Sequence, residues 1–139
     1  MKVSMFITCL SDAIYPRVGE AMARLLARYG VKLEFPQSQT CCGQPAFNSG
    51  YWEEARESAK TLLKAFEDSD FVISPSGSCT GMIHHYPKLF ENDPVWLPKA
   101  ERLQRKSYEF TQFLVGVLGV KDVGAVFPHK VTYPPSCHG

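Results

Sequence analysis

Two adjacent cysteines lie within a short polar stretch, Thr40-Cys41-Cys42-Gly43-Gln44-Pro45. Neighbouring side chains on an extended backbone point opposite ways, so adjacent thiolates do not easily grip one small ion. They suit either a vicinal disulfide or a multi-metal cluster met from one side of a kinked loop. Gly43 supplies the freedom for such a kink, and Pro45 fixes the exit. There are 31 residues between Cys9 and Cys41, and 36 between Cys42 and Cys79. Cys9 and Cys79 each follow an apolar, β-prone run (Val3 to Thr8, Phe71 to Ser74) where small polar residues begin. Parallel strands place their ligands at one carboxyl edge. Four cysteines on three strand-end loops thus point to one site: Cys9, Cys41, Cys42 and Cys79.

Blander chemistry competes with that reading. A single buried cysteine behaves as a small hydrophobe. Structural zinc favours Cys-x-x-Cys spacing, which is absent here. A cysteine phosphatase loop after the first strand needs an arginine six positions beyond Cys9; that position is Tyr15, and the nearest arginine is Arg17. His84 and His85, one turn past Cys79, read as a surface pair on a helix, and His129 beside Pro128 as a turn residue. Phe47, Tyr51 and Trp52 read as core residues that also shield a metal site from water.

The elements that must position these thiols alternate along the chain. Lys2 to Thr8 is a buried first strand. Ser11 or Asp12 caps a helix with Pro16 in its first turn, whose inner face is Ile14, Val18, Met22, Leu25, Leu26 and Tyr29. Val31 to Phe35 forms a second strand. Asn48 or Ser49 caps the next helix, with Ala55, Ala59, Leu62, Leu63 and Phe66 inward. Phe71 to Ser74 is the third strand, and Pro75 to Met82 turns into a helix running towards Tyr86. There Cys79 stands near a helix N-terminus, which favours thiolate. After a break at Asn92-Asp93-Pro94, residues 98–118 read as helical in two pieces, with Leu103, Phe110, Leu114 and Val117 inward and a solvated basic face. Ala125 to Phe127 and Lys130 to Tyr133 read as late strands. This alternation predicts a three-layer α/β fold with a mainly parallel, flavodoxin- or Rossmann-like sheet.

Lys2-Val3-Ser4 precedes Cys9 at the interval by which Lys130-Val131-Thr132 precedes Cys137. The echo predicts a first repeat over residues 1–127 and the opening strand and loop of a truncated second repeat over 128–139. Such an unpaired late strand leads us to expect homodimers through an exposed edge.

With 139 residues and a formal net charge of +1, the chain suits one soluble domain. It has no basic block, which argues against a nucleic-acid partner. It also has neither a signal-peptide pattern nor a membrane span, so we expect a cytoplasmic protein. In a reducing compartment, five cysteines point to metal binding or catalysis more than to disulfides.

Cys9, the Cys41-Cys42-Gly43-Gln44-Pro45 run and Ser76-Gly77-Ser78-Cys79 resemble the cysteine-rich CCG domain family. That family includes the cysteine-rich subunit of heterodisulfide reductase and the iron–sulfur subunits of glycolate and glycerol-3-phosphate oxidases. Thr8-Cys9-Leu10, Phe35-Pro36, Gln39-Thr40, Asn48-Ser49-Gly50-Tyr51, Tyr108-Glu109 with Phe113-Leu114, and Ser136-Cys137-His138-Gly139 extend the likeness to its lactate-oxidising members. The resemblance implies two repeats, a cysteine-ligated iron–sulfur cluster of the 4Fe–4S class, and electron transfer with partner subunits in bacterial L-lactate oxidation to pyruvate. It also implies that this subunit is not catalytic alone. Members binding a non-cubane cluster carry Cys-x-x-Cys where this chain has Cys79-Thr80-Gly81-Met82, and a thioether is a poor bridging ligand. The ligands carried over are therefore Cys9, Cys41, Cys42 and Cys79, with cubane, non-cubane and smaller clusters all open. Cys137 belongs to the second repeat. The alternative is a non-catalytic assembly module with structural zinc or free thiols.

Overall fold

The structure, a computed structural model, describes residues 1–134. Four short strands, β1 (Val3–Met5), β2 (Leu33–Glu34), β3 (Phe71–Ser74) and β4 (Ser107–Glu109), form one sheet in the order β2-β1-β3-β4. All three pairings are parallel, with Val3 opposite Leu33 on one side and Phe71 on the other. The helices are α1 (Cys9–Ile14), α2 (Pro16–Arg28), α3 (Gln44–Asn48), α4 (Trp52–Ala65), α5 (Gly77–Leu89), α6 (Trp96–Lys106) and α7 (Phe110–Gln112). The last runs into a wider, π-type turn over Phe113–Val117. No helix among the described residues is long and apolar enough to cross a membrane.

Strand periodicity sorts the core into two halves. Val3 and Ile73 pack with Met22 and Leu26 of α2 and with Phe113 and Leu114. Phe6 and Val72 face the other way, against Ala59, Leu62 and Phe66, Ile83 and Tyr86 of α5, and Leu103 of α6. The sheet is thus the middle of three layers, as the alternating pattern predicts. Its strand order is the one in which flavodoxin-like sheets reverse direction between β1 and β3.

Several local expectations need correction. Thr8, not Ser11 or Asp12, caps the first helix, and Pro16 starts a second helix instead of continuing the first. That restart sets the buried face of α2 at Gly19, Met22 and Leu26. A Cβ on Gly19 would stand 2.7 Å from Ile7 Cδ1, so the helix lies close to the strand end and Ile14, Val18 and Tyr29 face solvent. Helix α4 starts at Trp52, after Tyr51, because the short α3 already occupies Gln44–Asn48.

Residues 98–118 are not one interrupted helix. Helix α6 ends where Lys106 reaches the end of α4: its Nζ donates to the carbonyls of Phe66 (2.6 Å), Glu67 (2.9 Å) and Ser69 (2.7 Å). A cation suits a helix carboxyl end. The chain then extends as β4, a strand hidden in the sequence because buried Ser107 faces a helix layer and donates to Leu103 O (2.7 Å). The late strands expected at 125–127 and 130–133 do not form; these segments are exposed and irregular. Cys137 lies outside the described residues.

Phe66 is fully buried and meets Phe6 edge to face at 5.8 Å. Phe66→Ala should cost about 3–5 kcal/mol, measured by urea unfolding of the metal-free chain.

Candidate metal centre

The four thiols are brought to the carboxyl edge of β1, β2 and β3 by three separate local devices. After β1, the Thr8 hydroxyl accepts from Ser11 N (3.3 Å) and donates to Ser11 Oγ (2.8 Å), which makes Cys9 the first residue of α1. After β2, Gln39 ties the loop back to the end of β1. Its Oε1 accepts from Ile7 N (3.0 Å), and its Nε2 donates to Met5 O (3.1 Å) and Pro36 O (3.0 Å). After β3, Ser76 caps α5 by accepting from Cys79 N (3.4 Å), with Ser78 Oγ 3.2 Å from Ser76 Oγ.

The adjacent cysteines part company at Gly43. Its φ of +85° is a left-handed conformation, and a Cβ there would sit 3.1 Å from Ala55 O. Only glycine meets both demands. Cys41 Sγ stays on the outer side, where it accepts from Gly43 N (3.5 Å) and lies 3.8 Å from Cys9 Sγ. Cys42 turns into the core, only 3% exposed, beside Cys79 at 9%. The Tyr86 hydroxyl holds this turn by donating to Cys42 O (2.7 Å), and Gln44 Nε2 reaches Ser78 O (3.4 Å). Sequence reasoning passed over Tyr86 and gave Gln39 and Gln44 no role. Position is the only signal for them: both glutamines flank the cysteines, and Tyr86 lies two turns after Cys79.

The four cysteines therefore form two pairs, one open and one buried. Cys9 is exposed and Cys41 half-buried. Burial, then the bond to Cys41, pushes the Cys9 thiol up. In the inner pair, the bond to Cys79 and then burial raise the Cys42 thiol. The same bond brings Cys79 down to about 6, opposed by burial and aided by the hydroxyls of Ser76, Ser78 and Thr8. Burial, then the neighbouring thiolate charges, raises the Tyr86 phenol and keeps it a donor. His84 and His85 stand apart from the thiols. His84 Nε2 bonds Ser107 O (3.0 Å), and the His85 ring lies 5.0 Å from Phe47. Tyr51 and Trp52 are exposed, whereas Phe47 is half-buried against the Cys42 side of the core.

Among known families, the model of the cysteine-rich CCG domain matches residues 3–84. The chain belongs to that family. Among curated proteins, lactate utilization protein A of Geobacillus thermodenitrificans is 54% identical over 138 residues, covering 99% of this chain and 58% of its own length. The protein of the same name from Oceanobacillus iheyensis is 55% identical, with coverage of 99% and 57%. That from Bacillus subtilis is 52% identical, with coverage of 99% and 58%. The chain thus spans a little under three fifths of the relatives it matches. No solved structure matches it.

The donors of this CCG domain suit soft metals. Two sulfurs bound at about 2.3 Å to one tetrahedral ion lie roughly 3.8 Å apart, which is the Cys9–Cys41 separation. Yet no group of three or more Cys, His, Asp or Glu among the described residues gathers tightly enough to hold one ion.

Two outcomes follow from this geometry. Gly43→Ala should destabilise the chain by about 1–3 kcal/mol, while Gly77→Ala, with nothing within 4 Å of the added carbon, should not; denaturant titration measures both. Because the Cys79 thiol is lowered to about 6, its thiolate forms as pH rises through that value. The metal-free chain should show a far-ultraviolet thiolate absorbance step near pH 6, lost in Cys79→Ser.

Proposed function

We infer that this CCG domain carries an iron–sulfur cluster and transfers electrons, in the cytoplasm, within a complex that oxidises L-lactate to pyruvate. The observation that carries the reading is the convergence of two thiol pairs at one sheet edge, in a chain more than half identical to lactate utilization proteins. Iron–sulfur clusters are held by cysteine thiolates, and Cys9, Cys41, Cys42 and Cys79 are the residues to hold one here, of the 4Fe–4S class. The bound cluster supplies a reversible one-electron couple. The chain's own residues position the donors and set their surroundings. Tyr86, Gln39 and Gln44 hold the Cys41-Cys42 turn, and Ser76 orients the start of α5 at Cys79. Burial of Cys42 and Cys79 limits water on the inner side, one of the factors that sets a cluster's potential.

Met82 packs at 3% exposure in the same core group as Cys42 and Cys79. Its thioether belongs to that core, in line with a four-cysteine donor set. Residues 1–127 are the first cysteine-rich repeat in this reading, and the lactate-oxidising chemistry rests with partner subunits.

Anaerobic reconstitution with ferrous iron and sulfide tests the proposal. The chain should take up iron and acid-labile sulfide and gain visible absorption. Cys42→Ser should abolish that uptake while lowering the Tm of the metal-free form by no more than about 5 °C, the size of a ~1 kcal/mol loss. Uptake of zinc alone, with no sulfide, would instead identify an assembly module. Unfolding of the metal-free Cys42→Ser chain would make the cysteine structural.

A further inference from the structure

The division into an open and a buried pair matters for the chain before any metal is loaded. Adjacent cysteines invite the expectation of a vicinal disulfide, but Gly43 and Tyr86 hold Cys42 inward while Cys41 stays outside. The sulfur that faces Cys41 is that of Cys9, at 3.8 Å from a loop 32 positions earlier. A disulfide needs about 2.05 Å. Cys9, at the start of α1, and Cys41, in the loop after β2, both reach the surface, and side-chain rotation with a small movement of the Cys41 loop closes that gap.

Access favours the same pair. Both line an open groove of about 370 Å³ together with Ile7, Asp12, Phe35 and Gln39. Cys42 and Cys79 lie in the core at 3% and 9% exposure. A small oxidant in solution meets the outer pair first, whatever the basicity of the shielded Cys79 sulfur.

We propose that Cys9 and Cys41 form a reversible disulfide when the metal-free chain meets a hydroperoxide, and that this bond closes the site to metal. The Cys9 thiol gives up its proton to solvent and its thiolate attacks a peroxide oxygen; the O–O bond breaks, the leaving oxygen takes up a proton, and a sulfenic acid and water or an alcohol result. The Cys41 sulfur then attacks the sulfenic sulfur, the S–S bond forms, and the S–O oxygen leaves as water. Two thiols lose two electrons and two protons, and one peroxide is reduced. A dithiol reverses the step by exchange. The bond itself does not depend on the iron–sulfur reading; its effect on loading does.

Trypsin separates the residues concerned into Val3–Arg17, Leu33–Arg56, Ala65–Lys88 and Val131–Gly139. The metal-free chain is treated with one equivalent of hydrogen peroxide, its remaining thiols are blocked, and non-reduced peptides are mapped by mass spectrometry. The linked pair Val3–Arg17 with Leu33–Arg56 should exceed any other disulfide at least tenfold. It should persist in Cys42→Ser and disappear in Cys41→Ser. Should either loop variant fold poorly, Cys9→Ser changes an exposed residue, and it should keep the native circular dichroism and lose the link. A disulfide within Leu33–Arg56, a first link to Ala65–Lys88 or Val131–Gly139, or Cys9 sulfinic acid without a link overturns the proposal. The oxidised chain should then take up less than a tenth of the iron that the reduced chain does, with dithiothreitol restoring uptake. If the link forms but the reduced chain takes up no iron and sulfide, the disulfide stands and the cluster reading fails. Equal uptake by oxidised and reduced chains removes the claim that the bond closes the site.

Discussion

Strand β1 is paired in parallel on both of its sides, with β2 and with β3, and the rest of the site follows from that double pairing. Parallel neighbours end at the same edge, so the loops after three strands have to meet there. Right-handed crossovers send α2 to one face and α4 to the other, and α5 packs on the α4 side, so the chain leaves β1 and β3 toward opposite faces. Cys9, Cys41, Cys42 and Cys79 need no long-range design beyond this. Cys9 and Cys79 follow their strands within a few residues, whereas Cys41 and Cys42 come at the end of a longer loop after β2.

Convergence alone would leave four loosely held thiols. What makes them a site is the set of polar ties between the loops. Gln39 bridges the β2 loop to the end of β1, Gln44 bridges it to the β3 loop, and Tyr86 fixes the peptide between Cys42 and Gly43. Each tie ends on a main-chain group of a neighbouring segment. The same bonds that satisfy the backbone therefore aim the sulfurs. The inner pair gains a core environment, and the outer pair keeps contact with solvent. A group bound to both pairs would stand across the boundary between core and water.

The parts of this arrangement legible in the sequence are those written in hydrophobic period or in residue type. Ala55, Ala59, Leu62, Leu63 and Phe66 recur at helical spacing and are all buried. The run Phe71 to Ser74 is the third strand as its composition suggests. The hidden parts depend on partners distant in the chain. Strand β4 has one apolar residue, Tyr108, between Ser107 and Glu109, and nothing local marks it as a strand; its identity comes from Lys106 docking on α4 and from Ser107 fitting against α6. The inner face of α2 is displaced because Pro16 restarts the helix and Gly19 lets it approach Ile7. The reverse error occurs at 125–133. There the apolar residues Val126, Phe127, Val131 and Tyr133 suggest strands, but no neighbouring edge receives them and they stay exposed.

Two of the four thiols are also part of the core, and that raises the question of what the metal contributes to folding. Cys42 and Cys79 sit in a group with Leu62, Phe66, Ile83, Tyr86 and Leu103. Each large apolar side chain buried there contributes roughly 1.5–3 kcal/mol, and the second core, on the other face of the sheet, contains no cysteine among the described residues. A zinc finger lacks such reserves, so its ion must supply the folding free energy. Here the apolar layers form around the thiols whether or not a metal is bound, and the polar ties that orient the loops run between protein groups alone. The site is consequently assembled before it is filled. A preformed pair of outer thiols is open to metal and oxidant alike, so the same preorganisation that favours loading also exposes Cys9 and Cys41 to each other.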